Sequence, residues 1–308
     1  MPRIAFVFPG QGAQYVGMGQ EMASHYSEAA EVFAQADQIS DYKISDICFS
    51  GPADMLNKTE FAQPALLTVS LAVLAVVLKE GIKPDLLAGL SLGEYTALVA
   101  AGAVDFKEAL PLVQKRARLM QEAVPQGQGA MAAVLGMDLA VLADTCREAG
   151  GVVDIANLNC PGQVVIAGER EAVLNAGKIL KEKGGRFKLL EVSVPSHSRL
   201  MTEAAAKLRE DLQKITWHNP EPAVISNVTG NEHNRENIAD LLVKQMYSPV
   251  QWEASIRYMA EKVDYFIEIG PGTALSGLIK RTVKGRMLGN VEDIKSLDKV
   301  IREVKTLA

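Results

Sequence analysis

Apolar residues come in two rhythms along this chain. Short unbroken runs at 3–8 and 86–90 have the pattern of strands buried on both faces. Between them lie longer stretches whose apolar positions return every three or four residues. These predict helices over 19–39, 59–79, 91–101 and 106–124, the second stopped by Gly81. Strands that alternate with helices in this way predict a parallel sheet covered on both faces.

The rhythm changes at Gly127-Gln128-Gly129. Strands are expected over 130–135, 152–158, 163–167 and 186–194, with helices over 138–149 and 169–183. Asp138 is placed to cap the first of these helices. Gly184-Gly185 ends the second, and Pro195 stops the last strand. The order β-α-β-β-α-β is that of a ferredoxin-like unit. A small inserted domain is therefore expected over 127–195, within a large α/β domain formed by 1–126 and 196–308. The chain then supplies a helix over 198–215, strands over 223–227 and 263–269, and a Gly270-Pro271-Gly272 turn before a helix over 273–284. The most apolar stretch, 65–78, is shorter than a membrane span and reads as a buried helix. Five apolar residues at 4–8 are too few for a signal-peptide core.

Composition narrows the class. The chain has 308 residues, 48% apolar and 22% charged, which is ordinary globular usage and excludes a disordered or collagenous chain. A net charge of −5 argues against sequence-general nucleic-acid binding. The three cysteines, Cys48, Cys146 and Cys160, form no CxxC, so neither a zinc site nor a disulfide framework is expected. Unpaired thiols suit a reducing cytoplasm.

Four residues carry candidate chemistry. Gly89-Leu90-Ser91-Leu92-Gly93 matches GxSxG at a predicted strand-to-helix turn, where a serine is exposed as a nucleophile and the Leu92 amide faces an anion beside it. A bare GxSxG also occurs as a plain glycine-packed junction. Serine needs a base, and among four histidines His197 sits at the expected domain crossing, where clefts form. Its bland alternative is a helix-capping surface histidine. Arg116 falls in the middle of the apolar face made by Leu112, Val113, Leu119 and Met120, whereas Lys115 and Arg118 fall outside it. A buried cation requires an anion, supplied either by a protein carboxylate or by a substrate carboxylate held by the guanidinium fork. Gln11 stands at the C-terminal end of the first strand, where ligands of open α/β sheets collect. Its amide is a candidate second oxyanion donor or simply a turn residue.

At this point the sequence resembles the malonyl-CoA:acyl carrier protein transacylases of fatty acid and polyketide synthesis. The resemblance runs through Phe8-Pro9-Gly10-Gln11-Gly12, the Gly89–Tyr95 elbow, Gln114-Lys115-Arg116-Ala117-Arg118 and Pro161-Gly162-Gln163. It continues through Val194-Pro195-Ser196-His197, Pro249-Val250-Gln251-Trp252 and Glu268-Ile269-Gly270-Pro271-Gly272. It implies an α/β-hydrolase-like large domain with a ferredoxin-like insert. It implies Ser91 as acylated nucleophile, His197 as base, Gln11 and Leu92 as the oxyanion hole, and Arg116 as the malonyl carboxylate site. Met120, Ser196 and Asn159 are expected to outline the substrate pocket, and a backbone carbonyl near Gln251 to orient the histidine. Malonyl-CoA and acyl carrier protein are the implied partners, with no metal, cofactor, nucleic acid or membrane, and a cytoplasmic monomer. Leu90 stands where many relatives carry histidine. Two other readings are a serine esterase, using an acid such as Asp154, and a non-catalytic carrier-protein docking module.

Overall fold

The computed structural model describes residues 2–192 and 194–307. Among the described residues nine strands form two sheets. The first contains β1 (Ile4–Phe8) and β2 (Leu86–Gly89), and the second contains β3 (Gly129–Leu135), β4 (Val153–Cys160), β5 (Gln163–Glu169) and β6 (Arg186–Leu189). The first is completed by β7 (Ala223–Ile225), β8 (Tyr265–Ile269) and β9 (Met287–Val291), in the order β7-β2-β1-β8-β9. All its strand pairs are parallel. β1 and β2 are buried at every position, as their unbroken apolar runs require. The register sets Phe8 beside Gly89, so the turns that leave β1 and β2 emerge side by side at the carboxyl edge of the sheet.

The second sheet is antiparallel throughout, in the order β4-β5-β3-β6. Helices Leu139–Glu148 and Arg170–Glu182 pack on one face, against Ala132, Val134, Val153 and Ile166. Asp138 caps the first by accepting from the Ala140 and Val141 N–H groups. Met131, Ala156, Val165 and Ala167 form the opposite face, in keeping with the period-two alternation of a strand. Val250 lies between the two sheets: it shares a buried core with Ala5, Val7, Leu86 and Ala88 of the first, while its carbonyl accepts from Leu158 N–H and its N–H donates to the Ala156 carbonyl of β4, both at 2.9 Å.

Helix Thr59–Lys79 is apolar and long enough to cross a membrane, with mean hydropathy 2.2. Here it lies in the core, packed by helices Ser27–Ile39 and Phe106–Glu122. Several expectations shift. The helix expected over 19–39 is two, because extended Tyr26 separates Gln20–His25 from Ser27–Ile39. The strand expected over 186–194 ends at Leu189, and the chain beyond it lines a cleft; Ser193 lies outside the described residues. β9 and helix Ile294–Leu307 lie beyond the last expected element; β9 is half-exposed at four of its five positions and lacks the apolar run that marks the other parallel strands.

Candidate active site

β2 ends at Gly89, Ser91 takes φ 55° and ψ −105°, and helix Leu92–Ala100 begins at once. The flanking glycines are a steric requirement. A Cβ on Gly89 would lie 1.9 Å from the Gly93 backbone, and one on Gly93 would lie 2.2 Å from the Phe8 carbonyl oxygen. A non-glycine residue at such a φ costs about 1–3 kcal/mol and persists only where its surroundings hold it. Both backbone groups of Ser91 are held. Its N–H donates to Asn227 Oδ1 at 2.6 Å, and its carbonyl accepts from Gln245 Nε2 at 2.8 Å. The Asn227 carboxamide also donates to the Gly89 carbonyl at 2.7 Å.

His197 arrives from the segment that follows the antiparallel sheet, and it too has a positive φ, 63°. Its Nε2 lies 2.8 Å from Ser91 Oγ, and its Nδ1 lies 2.6 Å from the Gln245 carbonyl oxygen. That carbonyl accepts the Nδ1 proton, which leaves the Nε2 lone pair for the serine. Burial, and then the Arg116 charge, lower the His197 pKa to about 4 against the opposing pull of the Gln245 and Ser248 carbonyls. The ring is therefore neutral at pH 7 and able to accept a proton. The orienting group is a correction to the expectation at Gln251. The Gln251 N–H donates to the Asn227 carbonyl, and its own carbonyl accepts from Ser255 N–H and Oγ at the start of helix Trp252–Ala260. A carbonyl engaged by the first turn of a helix is not free for a ligand. The Gln245 carbonyl ends helix Ile238–Gln245, where the last carbonyls lack intrahelical donors.

Arg116 is fully buried on helix Phe106–Glu122, while Lys115 and Arg118 are exposed. Its Nη1 donates to Gln63 Oε1 at 2.5 Å, and its Nη2 donates to Gln245 Oε1 at 2.9 Å and to Ser91 Oγ at 3.2 Å. The guanidinium carbon lies 5.2 Å from the Tyr95 ring centre. Among the described residues no carboxylate pairs with Arg116, and its Nε–H has no acceptor. Burial pushes its pKa down. A cation enclosed by neutral acceptors and reaching the serine oxygen is a candidate binding group for an anion at the serine.

Leu92, the first residue of its helix, keeps a free N–H among the described residues, as does Gln11 in the turn after β1. The Gln11 carboxamide donates one hydrogen to Thr59 Oγ1 at 3.1 Å. Its backbone N–H remains a candidate donor for an oxyanion. Ser91, His197 and Gln63 line a cleft of about 1010 Å³ between the carboxyl edge of the parallel sheet and the outer face of the antiparallel one. Ser196 and Asn159 also line it; the buried Asn159 Oδ1 has no partner among the described residues. Met120 does not line the cleft. It lies behind Gln63, whose Nε2 is 3.5 Å from its sulfur. Lys188 and Arg281 also line it, Arg281 donating to Gln163 at 2.5 Å. Asp154 is engaged elsewhere, accepting from the Arg199 backbone and guanidinium. No cluster of metal-ligating side chains occurs among the described residues.

Sequence reasoning missed Gln63, Asn227, Gln245 and the buried Glu94–His233 pair. Gln63 and Gln245 carried the same signal as Arg116, a polar side chain on an apolar helix face. Asn227 and His233 lie in loops, where periodicity says nothing.

The model of the acyl transferase domain matches residues 5–308. The malonyl CoA-acyl carrier protein transacylase of Bacillus subtilis (strain 168) is 47% identical over 99% of this chain and 98% of its own. The crystal structure of the corresponding transacylase from Clostridium perfringens superposes with a TM-score of 0.95 at 43% identity, covering 99% of this chain and 98% of that one. A third similar structure is a malonyl-transacylase in complex with a type II polyketide acyl-carrier protein, with a TM-score of 0.94 at 43% identity over 97% of this chain and 99% of that one.

Proposed function

We infer, for a chain that belongs to the acyl transferase domain family, that it moves a malonyl group from malonyl-CoA to the phosphopantetheine thiol of acyl carrier protein. The observation that carries this reading is Arg116: a buried guanidinium without a protein carboxylate, 3.2 Å from the serine oxygen. It suits an acyl group that ends in a carboxylate.

The residues suit a ping-pong exchange. Ser91 Oγ attacks the thioester carbonyl as His197 Nε2 takes its proton. The oxyanion forms beside the Leu92 and Gln11 backbone N–H groups, and removal of one such donor commonly costs about 10²–10³ in rate. The intermediate collapses with cleavage of the C–S bond, the proton passes from His197 to the departing sulfur, and a malonyl-serine ester remains. The carrier thiol then attacks that ester with His197 again as base, the ester C–O bond breaks as His197 returns the proton to Ser91 Oγ, and the malonyl thioester of the carrier leaves. Thioester exchange of this kind is redox-neutral, and the nucleophile, base and donors all belong to the chain, so the reading requires no cofactor. Ser196, Asn159 and Gln63 shape the wall of the cleft, and Met120 backs Gln63.

The same reading describes the large domain (1–126 and 196–308) as α/β-hydrolase-like and the insert (127–195) as ferredoxin-like, in a cytoplasmic monomer without nucleic-acid or membrane partners. It assigns the enzyme to extender-unit supply for fatty acid synthesis. A polyketide carrier as acceptor is the second reading, favoured by the similar transacylase bound to such a carrier. Intact-protein mass spectrometry after brief mixing with malonyl-CoA tests the chemistry. A malonyl adduct in the wild type, absent in Ser91→Ala and discharged by acyl carrier protein, is expected. No adduct at any time point, with CoA released, would point to hydrolysis instead.

A further inference from the structure

Glu94 is fully buried one turn after the nucleophile, and its carboxylate touches neither the serine oxygen nor the base. Its Oε1 accepts from His233 Nε2 at 2.6 Å and from Asn227 N–H at 3.2 Å, and its Oε2 accepts from Gln245 Nε2 at 2.6 Å. These contacts reach both residues whose side chains grip the Ser91 backbone, Asn227 through its backbone N–H and Gln245 through its carboxamide.

The consequence falls on Gln245. Its two amide hydrogens are committed, one to the Glu94 carboxylate and one to the Ser91 carbonyl, while its Oε1 accepts from Arg116 Nη2. A carboxamide looks nearly the same turned end for end, but the reversed orientation fails here. It would set the amide hydrogens against the guanidinium and the amide oxygen against a carboxylate and a carbonyl, leaving buried groups unpaired. A carboxylate accepts only, so Glu94 permits one orientation. That orientation is the one that gives Arg116 an acceptor and leaves its Nη2 beside Ser91 Oγ.

We propose that Glu94 is a positioning residue that, through the Gln245 carboxamide, sets Arg116 for carboxylate-bearing acyl groups. The proposal rests on the Arg116 reading above. Glu94→Gln keeps the shape but turns one acceptor into a donor. With its oxygen kept by His233 and Asn227, its amide meets Gln245 Nε2 donor against donor, and the Gln245 carboxamide is pushed out of its place beside Arg116 and the Ser91 carbonyl. Malonyl-serine formation from malonyl-CoA should then fall at least tenfold more than acetyl-serine formation from acetyl-CoA, both followed by intact mass. A purely structural role would lower both equally, and that result, or no change in either, overturns the proposal. If Glu94→Gln does not fold, Gln245→Leu decides on the same two donors: a malonyl-selective loss supports the relay, and an equal loss overturns it. Arg116→Ala, run in parallel, separates the two layers. A malonyl-selective loss there with an equal loss in Glu94→Gln removes only the Glu94 role. An equal loss in Arg116→Ala removes the carboxylate site itself and the proposal with it.

Discussion

Replacing Arg116 by alanine should change selectivity far more than chemistry. Two charge-assisted hydrogen bonds to a carboxylate are worth about 1.5–3 kcal/mol each. In the unliganded site Nη1 and Nη2 are already spent on Gln63, Gln245 and Ser91, so only part of that strength is gained when malonate enters. A net of about 3–4 kcal/mol corresponds to a loss of about 10²–10³ in kcat/KM for malonyl-CoA. Acetyl-CoA presents no carboxylate, and its much lower rate should move by no more than about threefold. The substitution also has a second, independent signature. The Arg116 charge is one of the two influences that depress the His197 pKa, so the acid limb of kcat/KM should move upward from about 4 in the variant. Stability should change modestly: the Gln63 and Gln245 side-chain Oε1 atoms lose a donor, at about 1–3 kcal/mol each, but a desolvated cation is also removed. Steady-state kinetics on both acyl donors across pH 4–8 measures the selectivity and the limb, and thermal melts measure the stability. Equal losses for malonyl and acetyl, with the acid limb unmoved, would refute the reasoning.

Four further outcomes are expected. In the wild type, kcat/KM should hold steady as pH falls through 6.5 and decline only toward about 4, because burial keeps His197 neutral; a limb centred near 6.5 contradicts this. The unfolded chain binds that proton more readily than the folded one, so the stability linked to His197 is complete above pH 6.5. It is lost as pH falls toward 4, by up to about 3 kcal/mol, and thermal melts of wild type and His197→Gln should converge over that interval. Asp154→Ala should leave transfer within about threefold and cost under about 1 kcal/mol, since its partner Arg199 is largely exposed; a loss above a hundredfold would restore the esterase reading with an acid behind the histidine. Gly93→Ala should fail to give a soluble, cooperatively melting protein, because its Cβ would meet the backbone oxygen of Phe8 at 2.2 Å, where nothing flexible can yield.

The sequence by itself determined what is local. Unbroken apolar runs specify strands buried on both faces. Glycines two residues either side of Ser91 announce a turn whose backbones touch. A 3.6-residue period suffices to place Arg116 among Leu112, Val113, Leu119 and Met120 while sending Lys115 outward. Those inferences rest on sterics and periodicity, which act over a few residues. The tertiary structure decided which groups meet across long separations. His197 reaches Ser91 over 106 positions and takes its orientation from Gln245, 48 positions further on. The expectation at Gln251 lay six positions from that carbonyl, because only packing shows which backbone oxygens a helix has already used. The Gln11 side chain turned to Thr59 for the same kind of reason: a flexible amide follows its nearest partner, and that partner lies 48 residues away. Strand order, the place of Val250 between the sheets and the Glu94–Gln245–Arg116 relay belong to this second class. Each rests on contacts whose two ends carry no mark of one another until the chain has folded.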